Sequence, residues 1–246
     1  MSNVMGERAR ARSMSEAAVA RAVELSDKAN AIGLYQASCF APAPGDLDHF
    51  LRVRSLRDQI LVDPLLAWRL PELDRLQDEL DEIPLFEKWT DHFRNTVVTE
   101  GKNAFLTHAL KGSSYTASQV LGLIEDTGYS AISASNTAAS ITAVGGGSPA
   151  NGWNEAPSST LATRGTPSFG TASSGSLALS SAVSLSIIAT DTIKGAFMLM
   201  RSAAGTAPTT TVGNTSGAIL SAGLFSGGDR AVANGDTLSV SYSLSV

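Results

Sequence analysis

Cysteine occurs once in the 246 residues, at Cys39, so neither a disulfide framework nor a cysteine-rich metal site can be assembled from this chain alone. The three histidines, His49, His92 and His108, are far apart and none sits in an H-E-x-x-H pattern, so each is expected to be structural or solvated. No run of about 18 apolar residues exists, which excludes a helical membrane span. The first twenty residues carry arginines but no continuous apolar stretch, so no signal peptide is expected and synthesis in a cytoplasm is. A net charge of −5 leaves no broad basic face with which to displace counterions from phosphates, and no nucleic-acid partner is expected. The exception is the amino-terminal arm, where Arg8, Arg10 and Arg12 alternate with alanine.

Charge itself becomes scarce along the chain. Only five of the 18 Lys and Arg and six of the 23 Asp and Glu lie beyond residue 110, where Ser, Thr, Ala and Gly take over. That shift predicts three parts: a basic arm, helix and linker over residues 1–45, a helical region over 46–112, and a β domain over 113–246. Ser13 and Glu16 have capping-box spacing, and the run from Ser15 to Asn30 reads as a helix with Val19, Ala22, Val23 and Leu25 on its apolar side. Gly33 is expected to stop it. Residues 34–46, with Cys39, Phe40, Pro42, Pro44 and Gly45, read as an extended linker lying on a partner or looping over the surface. A helix is expected from Asp46 to Val62, and Pro71 and Pro84 bracket an acidic segment in which Leu73, Leu76 and Leu80 recur at helical spacing. Trp68 and Trp89 are the natural anchors for packing such short helices. Thr99 opens a further helix whose apolar stripe is Phe105, Leu106, Ala109 and Leu110, ending at Gly112.

The strands follow. The last ten residues alternate, with Leu238, Val240, Tyr242, Leu244 and Val246 on one side and Ser239, Ser241, Ser243 and Ser245 on the other, which marks a half-exposed antiparallel strand. Segments 119–124, 177–180, 183–189, 192–201 and 218–225 are bounded by Gly, Ser, Thr, Asn or Pro and read as strands too. Six or more strands without intervening helices predict an antiparallel β-sandwich or jelly-roll-like domain, and with the helices before it an α+β fold. Gly227, Gly228 and Gly235 are assigned to turns between the last two strands. The uncharged stretches 129–151 and 203–217 are expected to order on neighbouring subunits.

Chemistry is hard to find. There is no phosphate-binding loop and no G-x-S-x-G elbow, and serines at every second strand position describe a solvated face rather than a nucleophile. Asp229 and Asp236 lack the glycine-rich repeat of calcium-binding turns. No catalytic residue, metal or cofactor is assigned, and no enzymatic activity is expected.

From Asn95 the residues NTVVTEGKNAFLTHALKGSSYTASQVLGLIED resemble the opening of a family of small tailed-bacteriophage virion proteins. The similarity continues at Gly152-Trp153-Asn154-Glu155 and Arg164, and through TIKGAFMLMRSAAG and AILSAGLFSGGDRAVANGDTLSVSYSLSV. The resemblance implies a short helix followed by a β-sandwich, in a capsid cement or decoration protein or a tail-fibre component. Under the first reading the chain, as a trimer or dimer, binds the major capsid protein in the virion, with Arg8, Arg10 and Arg12 docking electrostatically and Phe40, Trp68 and Trp153 available for contacts. Under the second, the amino-terminal region anchors a tail or neck fibre to adaptor proteins. A carbohydrate-binding module is a third reading, with Trp153, Tyr115, Tyr129 and Tyr242 as the candidate stacking aromatics.

Overall fold

A computed structural model of the chain describes residues 32–110, 118–142 and 152–245. Among the described residues the fold is α+β, with an antiparallel, curled and sandwich-like sheet carrying three helices. In chain order the elements are β1 (Ile32–Pro42), α1 (Leu47–Val62), a 3-10 segment (Pro64–Glu72), α2 (Leu73–Glu82), β2 (Leu85–Val97), α3 (Thr99–Leu110) and β3 (Gln119–Glu125). After them come the two-residue strands β4 (Ile141–Thr142) and β5 (Trp153–Asn154), then β6 (Ser176–Ala178), β7 (Val183–Ser186), β8 (Asp191–Met200), β9 (Ala218–Leu224), β10 (Arg230–Val232) and β11 (Thr237–Ser245).

The nine-stranded sheet runs β10-β8-β9-β2-β1-β11-β6, with β3 on the other side of β8 and β7 beside β6 along β11. Its two outer edges are linked through residues 155–169: Glu155 bridges to Ile124, Gly165 to Leu121, Leu161 to Ile187 and Phe169 to Leu179. Curling inward encloses one core of Tyr35, Phe93, Leu121, Leu123, Leu185, Met198, Leu238 and Tyr242, among others. Tyr35 lies at the centre of this core, 5.2 Å from Phe93 and 4.7 Å from Tyr242 between ring centroids.

The carboxy-terminal alternation appears as expected, with Leu238, Val240 and Tyr242 buried and the serines partly or fully exposed. β11 is not an edge, however, because β1 pairs along one side and β6 and β7 along the other. β3, β8 and β9 are buried on both faces, which is why they read as nearly unbroken apolar runs. Their outer face packs under Trp153, Ala138 and Ile141, with Tyr129 and Ile132 at the margin. The described part of 129–151 therefore packs against its own chain's sheet.

Three other expectations are corrected. Residues 32–42 are not a linker but a strand between β2 and β11, with Tyr35, Ala37 and Cys39 pointing into the core. Residues 85–97, expected within a helical region, form the 13-residue β2, which passes from β1 at one end to β9 at the other. The compositional shift near Gly112 thus does not coincide with a break in the sheet. Both β1 and β2 lie inside it, and the segment between them, residues 47–83, is an inserted helical lobe with its own small core of Phe50, Val53, Ile60, Leu76 and Leu80. Finally, α3 begins at Thr99 as expected but turns its small residues to the sheet: Gly101 and Ala104 are buried, while Phe105 and Leu106 are about half exposed. A side chain at Gly101 would meet the Ile219 carbonyl at 2.6 Å, so only glycine lets the helix backbone approach β9 this closely.

The barrel-like sheet has two distinct ends. At one, the helical lobe covers the β10–β11 turn, where Leu47 and Leu51 lie over Gly235 and the Arg54 guanidinium donates to the Ile187 carbonyl at 2.9 Å. Burial holds the Arg54 guanidinium below its ordinary pKa, with Asp58 opposing that shift. At the other end the interior opens as a cavity of about 740 Å³ beneath α3.

Candidate interaction surface

Every buried carboxylate with a clear partner set serves the fold. Glu155 and Arg164 are both fully buried and form a two-pronged pair, Nε to Oε1 at 2.7 Å and Nη2 to Oε2 at 2.6 Å. The same guanidinium donates to the carbonyls of Thr209 and Asn214, and the Gly213 amide donates to Glu155 Oε2. This pair ties the edge-bridging segment 155–169 to the loop 203–217. That loop, expected to order on a neighbour, is held by its own chain.

Asp91 plays a similar part in the β9–β10 connection. It accepts from the Ser226 amide and hydroxyl, the Gly227 amide and Arg230 Nη2. Burial alone would raise its carboxyl, but these donors outweigh that penalty and hold it at about 2. Asp236 accepts from Lys88 Nζ at 2.5 Å and the Ala233 amide at 2.8 Å, closing the turn before β11. Cys39 faces the same carboxylate, and burial, with Asp236 beside it, pushes its thiol up to about 12.

Nothing in this set resembles catalytic machinery. Among the described residues no group of three or more His, Cys, Asp or Glu comes together to hold a metal ion. The histidines are dispersed: His49 lies 3.2 Å from Glu79, His108 bonds the Ser202 carbonyl and His92 is exposed on β2. Asp229 pairs with Lys194 at 2.6 Å, separately from Asp236.

What the fold leaves open is apolar. Leu65 is 84% and Trp68 73% exposed on the 3-10 segment, with Leu61 and Leu70 exposed close by in the chain and Arg69 5.7 Å from the Trp68 ring. Leu85 and Phe86 are exposed at the start of β2. At the opposite end of the sheet, Phe105 and Ala109 of α3 line the cavity together with Phe169, Leu177, Met200 and Leu244. Isolated exposed leucines are ordinary, whereas a Trp and three Leu exposed within ten residues of the chain are not.

The expected contact residues divide accordingly. Trp68 lies on the open surface. Phe40 is half-buried in β1, paired opposite Thr237 and Glu87, and presents only part of its ring. Trp153 is corrected: it is 0% exposed and packs against Phe197 at 5.8 Å, so it can touch neither a partner nor a sugar in this state. Trp89 is likewise no helix anchor, since it lies on β2 against Phe225 and beneath Arg230. Arg8, Arg10, Arg12 and Tyr115 lie outside the described residues.

Gly227, Gly228 and Gly235 fall in the turns assigned to them. Gly235 has φ of +97° and Gly228 +83°, as a left-handed turn position requires, but Gly227 does not share that conformation. Its reason is space, because a Cβ there would strike Arg230 Nη2 at 2.2 Å, beside Asp91. The Glu155–Arg164 and Asp91–Arg230 locks were not assigned from sequence. For Glu155 and Arg164 the signal is their isolation, two of the few charges in an otherwise uncharged stretch. Comparison of the chain with protein families, with curated proteins and with solved structures finds no match.

Proposed function

We propose that the chain is a non-enzymatic structural protein of a bacteriophage virion, a capsid cement or decoration protein that binds the major capsid shell. The observation that carries this reading is the exposed apolar surface of the inserted lobe, centred on Leu65 and Trp68. A surface of this kind that folding leaves uncovered is matched by a partner, and burying a Trp and several Leu supplies the apolar centre that stable interfaces share. The second support is that the clearly partnered buried carboxylates close turns and loops, leaving the lobe as the part of the described surface with most to gain from contact. The third is the sequence resemblance from Asn95 onward. In this reading Arg8, Arg10 and Arg12 add electrostatic docking to acidic neighbouring subunits, and the protein assembles as a trimer or dimer.

Quantitative mass spectrometry of purified virions tests it through the copy number of the chain. A ratio near one to one with the major capsid protein supports the cement reading. A dozen copies or fewer moves the protein to the tail or neck, where the lobe becomes a fibre anchor, and absence from virions removes the reading altogether. At the residue level, Trp68→Ala is expected to change stability by no more than about 0.5 kcal/mol, because the side chain is exposed. The same change should weaken binding to empty capsid shells at least tenfold; unaltered binding would take the lobe out of the interface.

A further inference from the structure

The seam between the inserted lobe and the sheet holds a cation that the fold does not neutralise. Arg54, 5% exposed, reaches from α1 to the end of β7, where Nη2 donates to the Ile187 carbonyl at 2.9 Å. Its Nη1 is buried as well, and among the described residues no acceptor reaches it. The Phe50 ring, 5.9 Å from the guanidinium carbon, offers only its π face. Asp58 acts on Arg54 through space but is bonded to Arg57 instead, at 2.8 and 3.0 Å. Two guanidinium groups thus share one carboxylate, and the three together carry one excess positive charge. Folding alone gives no reason to keep it, since an apolar side chain of similar length would cover the seam without the cost of an unpaired buried ion.

Arg54 also forms part of the wall of a pocket of about 460 Å³ that opens at this seam. Leu51 and Ile188 give the pocket apolar surface, and Ser55, Gln59 and Asn234 add exposed, uncharged polar groups. Its charged residues are Arg54 and Asp58, and Asp58 already has its counter-ion in Arg57. A ligand matched to this lining carries one negative charge, because a phosphate dianion would lie beside Asp58 with a single cation to offset it. A carboxylate fits that count, and its oxygen is the strongest acceptor a guanidinium N–H can be given. A short aliphatic body attached to it would cover Leu51 and Ile188.

We propose that the seam between α1 and the sheet, with Arg54 in its wall, is a binding site for a carboxylate on a short aliphatic body. The guanidinium swings about its bond to the Ile187 carbonyl, presents Nη1 to the pocket and donates to a carboxylate oxygen. Arg54 belongs to the lobe, whereas Ile188 follows β7 and Asn234 lies in the β10–β11 turn, so an occupant clamps the lobe onto the sheet. This inference does not depend on the virion reading, and each can fail without the other.

Titration of the full chain with butyrate, read by amide NMR shifts, tests it. Butyrate should bind with a Kd on the order of 1 mM, as one charge-assisted hydrogen bond and a few apolar atoms allow, and should move the signals of Ser55, Ile188 and Asn234. Butyramide, of the same shape but uncharged, should bind roughly tenfold more weakly. Equal responses to the two compounds, or shifts that avoid these residues, would overturn the proposal. Arg54→Met should lose the response, but it also removes the bond to Ile187, so a second variant is needed. Ile188→Glu alters an exposed side chain, keeps Arg54 and sets a tethered carboxylate at the pocket. In that variant butyrate binding should fall roughly tenfold while the melting temperature holds or rises, because the new carboxylate takes the place of the ligand. Undiminished binding would put butyrate elsewhere and refute the site. A short peptide with a free carboxy terminus, compared with its amidated form, identifies the source of the carboxylate. Binding tighter than butyrate and lost on amidation assigns the site to a peptide end, and binding no tighter assigns it to a small free acid.

Discussion

Replacing Arg164 by Met isolates what the buried ion pair contributes. The substitution keeps a comparable apolar volume against Phe197, whose ring centre lies 5.6 Å from the guanidinium carbon, and removes the charge together with its hydrogen bonds. Glu155 is then left fully buried with the Gly213 amide as its remaining donor. Breaking such a pair from one side costs about 3–5 kcal/mol, a large part of a typical domain's stability of about 5–15 kcal/mol. The informative comparison is the double variant Glu155→Leu with Arg164→Met. A buried pair standing alone is often replaceable by apolar residues at no cost. Here the pair also closes the Gly213 amide and the carbonyls of Thr209 and Asn214, so the double variant should still lose about 2–4 kcal/mol through backbone groups left without partners. Urea unfolding followed by the fluorescence of Trp153, which packs on the same Phe197, measures both losses. Proteolysis within residues 203–217 should accelerate in both variants. A loss below about 1 kcal/mol for Arg164→Met would refute the reasoning for the pair, since it is less than one buried partner is worth. A double variant as stable as the parent would refute the loop-closing role specifically.

Three further perturbations are simpler. Asp91 is depressed to about 2 in the fold, so its contribution is complete above the unfolded value near 4 and disappears as pH falls from about 4 to 2, a loss of roughly 2 kcal/mol. Asp91→Asn should be less stable than the parent at neutral pH, with the gap closing across that acid window; a constant gap would contradict the assignment. Cys39 should react with an aromatic disulfide reagent at pH 8 only as fast as the protein unfolds, and rapid stoichiometric labelling of native protein would show that the thiol is accessible after all. Gly235→Val combines a left-handed backbone with a Cβ 2.7 Å from Leu47 Cδ1 and should cost about 2 kcal/mol or more, read as a fall of about 5 °C or more in the melting temperature.

How far the sequence announces this fold depends on which face of each element does the packing. β11 was legible because one face is buried and the other is not, so its side chains alternate. β3, β8 and β9 were legible as apolar runs bounded by turn residues, because both of their faces are covered. β1 and β2 were missed for opposite reasons. The inward row of β1 is Tyr35, Ala37 and Cys39, and it lies among residues whose prolines and glycine suggested a linker. The inward row of β2 contains Asp91 and Asn95, and a buried aspartate breaks the apolar period just where the β9–β10 connection needs a carboxylate acceptor. Trp153 was assigned to contacts or to sugar stacking, but its burial depends on residues 129–141 folding over the sheet, which no local pattern around it announces.

Helix α3 carries the most consequential mismatch. Its period predicted the right element and the wrong buried face, since large apolar residues are assumed to face the core. Close approach to β9 selects Gly101 and Ala104 instead, and the bulky residues are displaced outward. A sequence that merely needed a stable helix there would place polar residues on the displaced face, because exposed Phe and Leu add nothing to folding and favour aggregation. Consistency between local pattern and fold is what specifies a structure, so a lapse confined to one helix face and continuous with a cavity is evidence of a second requirement on those side chains. The lobe presents the same kind of lapse at Leu65 and Trp68, at the other end of the sheet. With β1 running the length of the sheet between them, the two faces cannot serve one contact. One lies at the cavity mouth on α3, and the other on the 3-10 segment of the inserted lobe.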